Sequence, residues 1–275
     1  MNQLQTTLLS VRGLTVRFGG LVAINALDLQ VREGELFALV GPNGAGKTTL
    51  LNCISGFTLP TEGSLTFDGV DLLPLGRHRR AALGIARTFQ NVQLFSSMTV
   101  LDNLLMAQHA HLRSSFFASL LPFGPAIAED RRARQAGRDM LERLGIARYS
   151  DQIAGTLPFG VQKLVGVARA LALRPRMVLL DEPAAGMPQA EVAQFAGSLR
   201  RWRDALGVTF LLIEHNMGLV QSVAETVCVL DYGRKLAEGK PADVLADPAV
   251  LEAYLGSGGA AGMSAGEKEG THADR

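Results

Sequence analysis

The eight residues from Gly41 to Thr48, GPNGAGKT, constrain the fold of this chain more than any other segment. They satisfy G-x-x-x-x-G-K-[ST], follow the apolar run Leu36-Phe37-Ala38-Leu39-Val40, and lead into a stretch that reads as a helix from Thr48 to about Ser55. A strand, a glycine-rich turn and a helix in that order aim several backbone N–H groups and a helix N-terminus at one point. Glycines at 41, 44 and 46 permit the turn, and Lys47 adds a full positive charge. The result is a cradle for phosphate. The hydroxyl of Thr48 is then placed to reach a magnesium ion shared with the nucleotide. The expected ligand is a nucleoside triphosphate, held by Gly41, Pro42, Asn43, Gly44, Ala45, Gly46, Lys47, Thr48 and Thr49. The competing reading is a glycine-rich turn without ligand, and it leaves the match at every fixed position unexplained.

A second set of residues complements the cradle. The run Met177 to Leu180 reads as a buried strand that delivers Asp181 and Glu182 to its C-terminal end, where open parallel sheets bind ligands. Asp181 suits a magnesium ion, and Glu182 suits the orientation or deprotonation of an attacking water. Alone, an Asp-Glu pair after a strand is an ordinary loop; with the cradle upstream it becomes a candidate site. His215 follows the apolar run Thr209 to Ile213, so its imidazole also lies at a strand end and could donate to a terminal phosphate. Gln90 offers an amide that can reach metal or water, though by itself it carries no information. Phe18, before Gly19 and Gly20, is a candidate for stacking on a base, with packing at a hairpin turn the competing reading.

The two halves of the chain fit one nucleotide domain. Residues from about Leu8 to Val31 alternate apolar and polar positions around Phe18-Gly19-Gly20, which predicts two or three antiparallel strands; another is expected from Ser64 to Phe67. Helical periodicity runs from Val100 to Arg148. The nearly uniform apolar runs at 177–180 and 209–213, with a helix from Gln189 to Asp204 between them, predict buried parallel strands. Two more strands are expected at Thr226 to Leu230 and Arg234 to Glu238, and a last helix from Pro241 to about Tyr254. After Leu255 the composition turns to glycine, alanine and small polar residues, which predicts a disordered tail over 256–275.

Composition excludes several classes. With 47% hydrophobic residues in 275, a sizeable core is available, and a net charge of +1 provides no global field for nucleic acid. The basic clusters Arg77-His78-Arg79-Arg80 and Arg131 to Arg138 are read as solvated helix faces. Cys53 and Cys228 stand in no metal-ligand or disulfide spacing, which fits a reducing cytosol. Neither a secretory signal nor a membrane span is legible: Ser114 to Ala128 is too short and is broken by Pro122, Gly124 and Pro125.

Taken in order, these pieces resemble the ATPase subunit of ATP-binding-cassette transporters, over about Leu8 to Leu255. Phe18 is similar to the adenine-stacking aromatic, GPNGAGKT to the Walker A loop, Gln90 to the Q-loop, and Asp181-Glu182 to Walker B. Leu157, Pro158, Phe159, Gly160, Val161 and Gln162 resemble the signature loop, and His215 the switch histidine. Within the family, RTFQNVQLFSSMTVLDNLLMAQH, LLDEPAAGM, LLIEHNMGLV and the ending AYLG most resemble the LivG-type ATPase of high-affinity branched-chain amino acid importers.

The resemblance implies a P-loop NTPase (RecA-like) core of α/β class with an antiparallel β subdomain, at about 1–92 and 170–255, and an inserted helical subdomain at about 93–169. It implies ATP and Mg2+ as cofactors, with Thr48, Gln90 and Asp181 on the metal and Lys47, Gln90, Glu182 and His215 in catalysis. The implied partners are two integral membrane permease subunits, a second related ATPase subunit as heterodimer or homodimer, and indirectly a solute-binding protein. The chain would lie on the cytoplasmic side of the inner membrane, held there by those subunits.

Two departures qualify this picture. The family's signature usually reads L-S-G-G-Q, and here Pro158 replaces the serine and Phe159 the first glycine. Proline is acceptable in a first helical turn, with Thr156 as a possible N-cap, but a hydroxyl donor is lost, which can be worth roughly 2 to 4 kcal/mol where charge develops. Pro188 also stands where the family's D-loop carries aspartate or asparagine. An asymmetric pair is expected, with this chain's own Lys47, Glu182 and His215 intact. A switch GTPase is disfavoured because no lysine stands in N-K-x-D. The remaining alternative is a soluble or regulatory ATP-binding protein of the same family without a transport role.

Overall fold

The structure, a computed structural model, describes residues 6–88, 94–111 and 125–258. The expectation for Gln90, and that for the tail beyond Gly258, lie outside the described residues. Strands β1 (Thr7–Phe18) and β2 (Leu21–Arg32) pair as a hairpin in which Phe18 faces Leu21 across Gly19 and Gly20. Gly19 takes a positive φ of 58°, which a tight turn supplies cheaply only with glycine. Strands β4 (Glu62–Phe67) and β5 (Val70–Asp71) extend this sheet in the order β2-β1-β4-β5, all antiparallel.

The second sheet contains β3 (Leu36–Val40), β6 (Ile85–Arg87), β7 (Met177–Asp181), β8 (Thr209–Ile213), β9 (Thr226–Asp231) and β10 (Arg234–Gly239), in the order β10-β9-β3-β8-β7-β6. Only β10 runs antiparallel to its neighbour. Every residue of β3, β7 and β8 is buried, and the period-2 pleat divides them between the two faces of the sheet, with Ala38 and Val40 of β3 in a third, smaller core. Phe37, Leu39, Met177, Leu179, Leu211 and Ile213 face α1 (Lys47–Ser55) and the antiparallel sheet. Leu36, Val178, Leu180, Phe210 and Leu212 face the helices of the other side. A strand covered on both faces needs apolar residues at consecutive positions, which is why these runs do not alternate.

The helical layer consists of α3 (Val100–His111), α4 (Pro125–Arg143), α5 (Phe159–Leu171) and α6 (Gln189–Leu206). Trp202 of α6 is fully buried and donates its indole N–H to Leu144 O at 2.8 Å, fastening α6 to the end of α4. The shorter α7 (Met217–Val223) closes the third core with β9. The terminal helix predicted as one is two, α8 (Pro241–Leu245) and α9 (Pro248–Gly258). Pro248 lacks the N–H a continuous helix would need and opens α9 instead.

One basic cluster departs from the solvated reading. On α2 (Arg77–Ala82), Arg77, His78 and Arg79 are exposed, whereas Arg80 is buried. Arg80 Nε donates to Leu75 O at 2.8 Å, and Nη1 donates to Cys53 O and to Ile54 O. Those last two carbonyls end α1, so the guanidinium sits on the negative pole of that helix. Gly56, the C-cap of α1 at φ 80°, leaves the room: an added Cβ would stand 3.0 Å from Arg80 Nε. The residues Arg131, Arg132, Arg134 and Arg138 are exposed as expected.

Replacing Arg80 by methionine keeps the apolar stem and removes the charged donors. The variant is expected to lose about 2 kcal/mol of unfolding free energy in urea titration. A loss below about 0.5 kcal/mol would show that the helix end is satisfied without Arg80.

Candidate functional site

The phosphate-binding geometry begins where β3 ends. Gly41 (φ 144°), Gly44 (φ 82°) and Gly46 (φ 99°) fold the loop, and Gly46 is the N-cap of α1 without any side-chain cap. The first-turn N–H groups of α1 are thus left for a ligand. At two points the loop is pressed against other backbone. A Cβ on Gly46 would lie 2.5 Å from Ala23 O, and one on Gly41 would overlap Leu230 O. Lys47 Nζ donates to Gly41 O at 2.7 Å and to Pro42 O at 2.8 Å, so the ammonium is held over the loop. Burial pushes the pKa of Lys47 down, and the charges of Glu182 and Asp181 oppose that shift.

A cavity of about 420 Å³ opens beside the loop. Residues Asn43 to Thr49 line it, together with Glu182 and the exposed Phe18 and Tyr232. Its donors are uncapped helix amides and one ammonium, a set that matches polyphosphate. Aromatic side chains from two different turns suit a planar base. Sequence reading missed Tyr232, because a tyrosine between Asp231 and Gly233 reads only as part of a turn. Its place beside the phosphate loop comes from the parallel pairing of β9 with β3.

The acidic side of the site stands at the ends of β7 and β8. Glu182 has φ 47°, a left-handed conformation that costs a non-glycine residue roughly 1 kcal/mol, and its N–H bonds Ile213 O at 3.0 Å. His215 Nε2 lies 2.9 Å from Glu182 Oε1. A carboxylate only accepts, so Nε2 carries the proton. Between them, Glu214 is buried. Its carboxylate accepts N–H bonds from Ala184 at 2.8 Å, His215 at 3.1 Å and Asn216 at 3.2 Å, which ties the turn after β7 to the turn after β8. Asp181 is paired through Oδ2 with Arg87 Nη2 at 2.9 Å. Neither Glu214 nor Arg87 is a candidate by motif or spacing; only the strand ends reveal their roles.

The structure brings Phe18, Asn43 to Thr49 and Glu182 to one cavity, with His215 hydrogen-bonded to Glu182 and with Asp181 and Glu182 acting electrostatically on Lys47. Leu157 to Gln162 does not line it. That segment forms the start of α5, and its N-cap is Pro158 (φ −53°, ψ 147°) with no side-chain cap, so the expectation for Thr156 is corrected. Thr156 ends a separate 3-10 turn, and its hydroxyl donates to Ile153 O. The Gly160 N–H instead meets Glu191 Oε2 of α6 at 2.9 Å, a carboxylate a Cβ at 160 would strike. Phe159 is exposed, with Lys163 Nζ over its ring at 5.2 Å.

Residues 24–185 match the family model described as ABC transporter, more than half of the chain. The chain belongs to the ABC transporter family. A second match, to the model for branched-chain amino acid ATP-binding cassette transporters, covers residues 234–260. The chain is 42% identical to the high-affinity branched-chain amino acid transport ATP-binding protein BraF of Pseudomonas aeruginosa and 39% identical to LivG of Escherichia coli. Each alignment covers 90% of this chain and 98% of the relative. Among solved structures, the ADP conformation of an ATP-binding cassette of an ABC transporter superposes with a TM-score of 0.79 at 32% identity, covering 91% of this chain and 99% of that one. A nucleotide-free cassette gives 0.77 at 31%, covering 90% and 99%. No helix among the described residues is long and apolar enough to cross a membrane.

Glu214 gives the cassette a pH signature. Burial raises its pKa above the ordinary 4.5, the N–H donors from Ala184, Asn216 and His215 oppose the shift, and the charge of Glu182 adds to it. A carboxyl with a raised folded-state pKa keeps its proton longer in the folded chain. Its contribution to stability is therefore full at low pH and declines as pH rises from about 4.5 through the folded value. Unfolding free energies for wild type and Glu214→Gln should show a difference that falls with pH over that window and then levels off. A difference independent of pH would sink the assignment.

Proposed function

We propose that this chain is the ATP-hydrolysing subunit of an importer for branched-chain amino acids. As a member of the ABC transporter family it is an ATPase, and its ATP-binding elements are those around the cavity beside α1. The observation that carries the proposal is the end-to-end match to relatives named for branched-chain amino acid transport, joined to a cavity that unites Lys47 with Glu182. Glu182 aligns and deprotonates the attacking water, and His215, its Nε2–H already directed at Glu182, turns that proton toward a terminal phosphate when one is present. Lys47 exchanges its two loop carbonyls for phosphate oxygens.

Magnesium is the metal proposed, with the oxygens of Thr48 and Asp181 and the amide of Gln90 as its protein donors; when bound, it neutralises charge on the phosphate oxygens. The partners proposed are two integral membrane permease subunits and a second ATPase subunit, with a solute-binding protein further out. The chain works at the cytoplasmic face of the inner membrane, held by the permeases. ATP drives the cycle because it binds the closed pair of cassettes better than the open one.

The pair is proposed to be asymmetric. The start of α5 is the surface that would meet a nucleotide on the opposite subunit. It lacks a hydroxyl at 158, has no N–H there, and has its Gly160 N–H already committed to Glu191. The partner's nucleotide would therefore be completed poorly, while this chain's own nucleotide would receive an ordinary signature loop from the partner.

Glu182→Gln in the assembled transporter is expected to lower ATP turnover by at least roughly 100-fold while ATP affinity changes less than about threefold. Uptake of labelled leucine into proteoliposomes should fall in parallel. Undiminished turnover would rule out this chain's site as the active one.

A further inference from the structure

Arg87 is a deeply engaged side chain beside the phosphate loop for which the proposed hydrolysis has no use. It is the last residue of β6, and its guanidinium bridges three elements. Nη2 donates to Asp181 Oδ2 at 2.9 Å, while Nη1 donates to Asn52 Oδ1 at 2.7 Å and to Ser55 Oγ at 3.0 Å. The Arg87 and Asp181 side chains are 10% and 11% exposed, so the pair is largely shielded from water. Asn52 and Ser55 belong to α1, whose opposite end carries Lys47 and Thr48.

Asp181 thus interacts with two cations, directly with Arg87 and electrostatically with Lys47. A buried carboxylate needs compensation, and the guanidinium supplies it in the protein alone. The situation changes when a divalent ion arrives at the same carboxylate. Because α1 holds Nη1 at two points, the guanidinium does not swing clear, and the ion meets a fixed positive charge. For a separation of about 6 Å, the repulsion between a divalent ion and a guanidinium is worth on the order of tenfold in affinity even at the dielectric constant of water.

We propose that Arg87 is the cation Asp181 carries when no metal is bound, and that by sharing this carboxylate with magnesium it limits how strongly nucleotide binding depends on the metal. The inference rests on the reading of Asp181 as the metal-side carboxylate. Arg87 is accordingly a positioning residue, acting through Asp181. The charge is the acting feature and the two bonds to α1 keep it in place; lysine keeps the charge without that hold, so it should retain part of the role and glutamine none.

The test uses the full-length chain and ADP, which binds without turnover. Dissociation constants are measured by calorimetry in EDTA and in excess magnesium, and the ratio of the two is the metal dependence. Arg87→Gln should raise that ratio about tenfold over wild type, and Arg87→Lys, which keeps the charge, by clearly less than the glutamine variant. A folded Arg87→Gln protein with an unchanged or lowered ratio overturns the proposal. So does an Arg87→Lys protein that behaves like the glutamine variant. Should Arg87→Gln fail to fold, wild type decides. The Arg87 guanidinium resonance, assigned by its absence in the folded lysine variant, should move when magnesium is added to the ADP-loaded protein, and a stationary resonance overturns the proposal. Wild type that takes up no ADP under either condition overturns the nucleotide reading itself, an outcome distinct from ADP uptake with an unaltered ratio.

Discussion

The contact on which the site depends is backbone against backbone. The phosphate loop is wedged between the β1–β2 hairpin and the β9–β10 turn, with Gly46 against Ala23 O, Gly41 against Leu230 O, and Gly233 against Ala23 O. Hydrogen bonds complete the wedge: Gly233 N–H donates to Ala45 O at 3.1 Å and Asn25 N–H to Gly233 O at 2.9 Å. Side chains at 41 or 46 would separate these segments. The glycines therefore do two jobs, giving positive φ and letting three loops touch. Because both flanking turns also carry aromatic residues of the cavity, Phe18 and Tyr232, the wedge sets the distance between the glycine-rich loop and those two rings.

Charge on the other side of the site is arranged in pairs rather than spread. Arg87 pairs with Asp181, whose charge also acts on Lys47, His215 holds Glu182, and Glu214 accepts three N–H bonds while its charge acts on Lys163. This division keeps each carboxylate in a fixed orientation although three of them lie within a short stretch of two strand ends. Glu214 is the least exposed of them and the one whose ionised form burial opposes most clearly. Its value is mechanical: it joins the turns carrying Glu182 and His215, so neither moves alone.

Much of this was legible in the sequence, and what was not shares one cause. Period and composition marked β3, β7 and β8, because a strand buried on both faces must be apolar throughout. The glycine spacing marked the loop because φ restrictions act on single residues. Arg80, Arg87, Glu191 and Glu214 were illegible, since each has a decisive partner 26 or more residues away in the chain, and a charged residue in a string carries no sign of burial. The Thr156 expectation failed for a related reason. Local rules assign caps from neighbouring residues, whereas the first turn of α5 has its Gly160 N–H satisfied by Glu191 from another helix.

That substitution of a distant carboxylate for a local cap also shows how the two ends of the cassette differ. At α1 the helix N-terminus has no side-chain cap and is lined by an ammonium, so it retains its attraction for an external anion. At α5 an internal anion already rests on the helix N-terminus, and Pro158 withholds one donor besides. Two helix starts of the same general form thus present opposite electrostatics. The first attracts an external phosphate, while at the second Glu191 already takes the Gly160 N–H, and the asymmetry proposed for the paired cassettes would originate in this difference within the chain.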